Sequence, residues 1–143
     1  MSLMDRIFGH PAEYPPLPTE SAAAQRIDNA LDGLRKLIVE AGEPLELVPS
    51  EETIYVFIGR PPRSFALSWM RDGERRSFST LVEERHVSEF RLHQVTEWLR
   101  ALYRRHMTEP RWSHRIDGHA VVVIASPALA REIDALMAEV GGP

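Results

Sequence analysis

The sequence predicts an α+β domain in which an antiparallel sheet, a β-meander plus a second hairpin, packs with three α-helices in the order α-β-β-β-β-α-β-β-α. Three observations lead there. Asp72-Gly73 and Asp117-Gly118 each separate two apolar runs, and a two-residue hairpin turn needs the positive φ that an Asp-Gly pair tolerates. The stretches that begin near Thr19, Ser88 and Ser126 carry apolar residues at helical spacing behind a capping side chain. Finally, 143 residues of which 43% are apolar and 27% charged can bury one core of ordinary size, so a single domain is expected over residues 19–143.

Taken in order, residues 1–18 form a Pro-rich N-terminal arm. Pro11, Pro15, Pro16 and Pro18 exclude a helix and predict an extended strap that packs through Phe8, Tyr14 and Leu17. From Thr19, as N-cap, an amphipathic helix presents Ile27, Leu31, Leu34 and Ile38, and Gly42 with Pro44 stops it. Leu45–Val48 is a short strand in which Leu45 and Leu47 alternate against Glu46.

The turns fix a register within Glu52–Val82. With Asp72-Gly73 as the loop, Arg71 faces Glu74, Trp69 faces Arg76, Leu67 faces Phe78 and Phe65 faces Thr80. With Arg60-Pro61-Pro62-Arg63 as the preceding loop, Ile58 faces Phe65, Val56 faces Leu67 and Ile54 faces Trp69. Both turns put Ile54, Val56, Ile58, Phe65, Leu67, Trp69 and Phe78 on one apolar face, toward helices gathered mostly on one side of the sheet. The opposite face then collects Tyr55, Phe57 and Met70 among small and hydroxyl residues, a surface suited to binding.

Ser88–Met107 is the longest predicted helix, with Val95, Trp98, Leu99, Leu102 and His106 on one side and His93, Glu97, Arg100 and Arg104 on the other. Pro110 ends it. Around Asp117-Gly118 a hairpin places Trp112, His114 and Ile116 on the same face as His119, Val121 and Val123. The last helix opens with Ser126-Pro127 and turns Leu129, Ile133, Leu136, Met137 and Val140 inward.

Composition removes several functions. Without cysteine there is no disulfide, thiolate nucleophile or Cys-ligated zinc. No apolar run reaches membrane-spanning length and residues 1–18 lack the central apolar block of a signal peptide, so no membrane partner and a cytoplasmic location are expected. No Gly-x-Ser-x-Gly elbow, P-loop or Gly-rich nucleotide loop occurs, and no cofactor is predicted. Residues 60–115 hold twelve arginines against seven acids in a chain of net charge −4, an asymmetry that suits an anionic ligand, nucleic acid or an acidic partner.

Two places could carry binding chemistry besides the Tyr55, Phe57 and Met70 face. Arg60 and Arg63 flank two prolines that stiffen their loop, so their guanidinium forks are presented with little entropy left to lose to a carboxylate or phosphate. His114 and His119 are diagonal neighbours in the second hairpin, close enough for two imidazoles to share a metal, although their spacing matches no known zinc motif.

The element order resembles that of small dimeric secretion chaperones, which run helix, three strands, helix, two strands, helix; the Pro-rich arm and the fourth strand depart from it. The resemblance implies a dimeric partner-binding protein. A non-catalytic interaction or adaptor protein, self-associating as a homodimer through a sheet face or edge, is thus the first expectation. Binding of an anionic ligand or nucleic acid through residues 60–115 is the second, and a small metal-dependent enzyme using His114 and His119 the third.

Overall fold

The computed structural model describes residues 14–143, so the expected packing of Phe8 lies outside the described residues. Both Asp-Gly turns form as two-residue hairpins, with positive φ at Asp72, Gly73, Asp117 and Gly118. They join β3 (Ser64–Arg71) to β4 (Glu74–Ser77), and β5 (Arg111–Ile116) to β6 (His119–Ile124). Their registers are those expected up to Ser77, with Arg71 opposite Glu74, Trp69 opposite Arg76, Ile116 opposite His119 and His114 opposite Val121.

The preceding hairpin differs by one residue. β2 (Thr53–Arg60) and β3 pair Arg60 with Ser64 around a three-residue loop, Pro61-Pro62-Arg63, in which Arg63 N–H donates to Arg60 C=O at 3.1 Å. Ile54 therefore faces Met70 and Val56 faces Ser68, not Trp69 and Leu67. A one-residue slip exchanges the faces of a strand. Tyr55, Phe57, Phe65, Leu67 and Trp69 share one face, and Ile54, Val56, Ile58 and Met70 the other.

The fold is α+β, as predicted, but the sheet is mixed. Its order is β4-β3-β2-β1-β6-β5, with β1 (Leu45–Pro49) antiparallel to β2 and parallel to β6. Among the described residues there are five helices where three were expected. The first predicted helix breaks at Ala30, whose φ of −110° and ψ of 15° leave the α region, into α1 (Ala22–Asn29) and α2 (Leu31–Ala41). Its cap is Ser21, not Thr19, the Ser21 hydroxyl accepting from Ala24 N–H at 3.2 Å. Phe78, expected opposite Leu67, instead opens α3 (Phe78–Arg85), where Ser77 and Thr80 form a capping box. Ser88 and Ser126 cap α4 (Glu89–Arg105) and α5 (Pro127–Val140) as expected.

Helices cover both sheet faces. α3, α4 and α5 bury the Tyr55, Phe57, Leu67 and Trp69 face through Leu81, Val95, Leu99, Ile133 and Met137. α1 and α2 bury the other through Ile27, Leu34 and Leu37. There α2 sits close to β3, because a Cβ at Gly33 would lie 2.0 Å from the Met70 terminal methyl. Among the described residues no helix is long and apolar enough to cross a membrane.

The ladder phase determines what each sheet edge offers. Ser50 N–H donates to Thr53 C=O and Gly59 N–H to Pro44 C=O, so odd-numbered residues of β2 bond to β1 and even-numbered ones to β3. On β3 the odd-numbered residues consequently turn N–H and C=O outward. Trp69 and Arg71 meet β4, which ends at Ser77 opposite Ser68; among the described residues no strand lies beside Phe65 and Leu67. At the other edge the arm pairs with β5, Ser113 N–H donating to Pro15 C=O and Leu17 N–H to Ser113 C=O, both at 2.8 Å. The Leu17 side chain is buried there.

Candidate functional site

The residues singled out from sequence separate into three places. Tyr55 and Phe57 are core under α4 and α5, and Met70 is core under α1 and α2, so the three do not share a surface. The Tyr55 hydroxyl donates to Asp134 Oδ1 at 2.5 Å and the Ser50 hydroxyl to Asp134 Oδ2 at 2.6 Å, which fastens α5 across the sheet. Burial, with the adjoining Asp134 charge, holds the Tyr55 hydroxyl far above its ordinary pKa. Phe57 meets Phe65 and Tyr103 edge to face, with centroids 5.3 and 5.4 Å apart.

His114 and His119 do lie on one face of the β5-β6 hairpin, His114 half-buried and His119 exposed at the turn. Among the described residues no group of three His, Cys, Asp or Glu side chains could hold a metal ion.

Arg60 and Arg63, by contrast, line a cleft of about 280 Å³ between the Pro61-Pro62 loop, the end of α4 and the start of β5. Its inner wall was not foreseen. Glu46, expected on the solvent side of an alternating strand, points into the sheet face beneath α4, because β1 is central and covered on both sides. Tyr103 donates to Glu46, its hydroxyl oxygen lying 2.8 and 2.9 Å from the two carboxylate oxygens. Arg111 Nε lies 3.6 Å from Glu46 Oε1, and its guanidinium rests 5.5 Å from the centre of the Tyr103 ring. Arg111 Nη1 is also spent on the carbonyls of Met107 and Glu109, at 2.9 and 3.1 Å. Only 13% of the Glu46 side chain and 9% of the Arg111 side chain are exposed, so the pair is held away from water.

Electrostatics follow from that burial. Desolvation raises the Glu46 pKa from its ordinary value, against the Tyr103 hydrogen bond and the Arg111 charge, which lower it. Desolvation and the Glu46 charge both push the Tyr103 hydroxyl up. For Arg111, burial opposes the charge, but Tyr103 and Glu46 outweigh it and the cation is retained.

Two further contacts shape the cleft. Arg100 Nε donates to Pro62 C=O at 2.6 Å and Arg100 Nη2 to Arg63 C=O at 3.4 Å, which pins the loop to α4, and its guanidinium lies over Phe65 at 5.6 Å. At the end of α4, His106 meets Glu109 through Nδ1 at 3.0 Å and Glu132 of α5 through Nε2 at 2.8 Å. Both ring nitrogens face carboxylates, so the imidazolium is the form that satisfies both bonds. Burial lowers the His106 pKa, yet the bonds and charges of the two glutamates prevail and the net shift is upward.

The sequence signal for Glu46 and Arg111 was weak but present. A central strand leaves no wet side, so a glutamate between two leucines on such a strand demands a buried partner. Comparison with known proteins finds no matching family model, no matching curated protein and no matching solved structure. None of these comparisons supports the likeness to secretion chaperones.

Proposed function

We propose that the chain is a non-catalytic interaction protein that self-associates as a cytoplasmic homodimer, adding the free half of β3 to its counterpart in a second copy. The observation that carries this reading is the segment Ser64–Leu67, beside which no strand lies among the described residues and whose outward edge begins with the N–H and C=O of Phe65. An unpaired edge is a template for another strand, and Ser64–Leu67 contains neither the proline nor the lysine that blunts such edges. A two-fold axis places the two segments antiparallel, so each copy offers what the other lacks. α3 and the start of α4, which follow β4 directly, leave Val82 40% and Phe90 73% exposed, apolar area that a subunit contact would cover. The faces offer no comparable route, since both are packed under helices of the same chain.

Sedimentation equilibrium at micromolar concentration tests the reading. The expected mass is that of two 16.3 kDa chains. A single-chain mass over the whole concentration range overturns self-association.

A further inference from the structure

We infer that the cleft under the Pro61-Pro62 loop is a binding site for a small organic anion, with a carboxylate or phosphate head at the Arg60 and Arg63 mouth and a flat apolar body inside. The cleft lies on the β1 side of the loop and does not depend on pairing at the β3 edge.

Four features support this assignment. First, the inner wall is polar where a packed core would be cheaper. A buried Glu46–Tyr103–Arg111 set is held on a sheet face whose other neighbours are Val48, Phe57, Val122 and Ile124. Replacing a buried ion pair by packed apolar residues is commonly neutral or stabilising, so adhesion alone does not call for one. Second, the set is satisfied within itself, so a ligand meets a preorganised wall and not an unpaired charge.

Third, the charge at the mouth is cationic. Arg63 is exposed and its side chain has no ion pair or hydrogen bond among the described residues, while the carboxylate of Glu109 across the cleft is already engaged by His106. Arg63 is presented on a loop stiffened by two prolines and tied to α4 by Arg100, which reduces the ordering cost of closing a guanidinium fork on an anion. Fourth, Pro61, Pro62 and Met107 give the remaining wall apolar surface, beside the Tyr14 side chain. A volume of about 280 Å³ admits a ligand the size of a substituted ring, at the lower end of small-molecule sites.

The test is a titration of the full chain with benzoate, phenyl phosphate and the neutral benzamide, followed by amide chemical shifts at low salt. Benzoate and phenyl phosphate are expected to shift amides of residues 60–63 and 103–111 saturably, the tighter of the two identifying the preferred head, and benzamide to leave them in place. Arg63→Gln should weaken binding about tenfold or more, the loss expected for one charge-assisted contact, with an unchanged unfolding midpoint because Arg63 lies outside the core. Equal binding of benzamide, saturable shifts confined to another region, no saturable shift with either anion, or undiminished binding by Arg63→Gln overturns the assignment.

Discussion

At the β5 edge Ser113 gives its N–H to Pro15 and accepts one from Leu17, whereas at the β3 edge Phe65 turns the same groups toward a flank that no other strand among the described residues reaches. The backbone chemistry is identical, and the difference lies in what the sequence supplies beside it. A proline-rich segment makes a good strap: prolines hold it extended, and within Pro15–Pro18 only the residue that must donate, Leu17, keeps an N–H. The same edge is anchored again from within, since Arg111 on β5 reaches Glu46 on β1 and Tyr103 on α4. β4, in contrast, stops at Ser77 because Ser77 and Thr80 cap a helix, so the hairpin covers only half of its neighbour. The proposed association thus rests on four residues of β3.

Variants can break this contrast from either side. The largest effect is expected at the closed edge from Arg111→Leu, which leaves Glu46 buried against Tyr103 alone. Loss of one member of a buried pair should lower unfolding free energy by about 3 kcal/mol near neutral pH, measured by urea denaturation. Leu17→Ala comes next, at about 2 kcal/mol for a buried leucine whose segment can partly collapse, and Ser113 should lose amide protection with it.

The His106 latch gives a smaller, pH-dependent effect. The raised pKa of His106 means that its contribution is complete below the unfolded value of 6.5 and disappears as pH rises through the folded value. Glu109 and Glu132, both lowered chiefly by the hydrogen bond from His106, contribute above 4.5 and lose that contribution as pH falls through their folded values. The stability difference between the wild type and His106→Gln should therefore be greatest between these limits and shrink above them. A difference that grows toward alkaline pH contradicts the latch.

The smallest effect on stability is expected at the open edge. Ala66→Lys places a cation on an exposed edge position and should change unfolding free energy by no more than about 0.5 kcal/mol. The same change should weaken dimerisation about tenfold or more, read by sedimentation, because a lysine on an edge strand disfavours pairing.

Much of this architecture was legible in the sequence, and the misses within the sheet core share one cause. Turn chemistry placed both Asp-Gly hairpins, and capping serines placed α4 and α5. The register of β2 against β3 was not legible, because Ile54–Ile58 is apolar at every position and either phase presents a convincing face. Only a strand with one wet side reports its register through alternation. The same two-sided burial hid Glu46, whose neighbours Leu45 and Leu47 pack on the opposite face, and it placed Tyr55, Phe57 and Met70 in the core. Loop stiffness pointed to Arg60 and Arg63 as candidates; the residues that line the same cleft from across it, Tyr103 and Arg111, are brought there by tertiary packing that no local spacing encodes.

Residue-resolved amide exchange by NMR, at a dilute and a concentrated protein sample, tests the contrast between the edges most directly. Leu17 and Ser113 amides should exchange slowly in both samples, whereas Phe65 and Leu67 amides should exchange fast when dilute and become protected when concentrated. Phe65 and Leu67 amides that exchange at the same rate in both samples, fast or slow, would contradict association through the β3 edge.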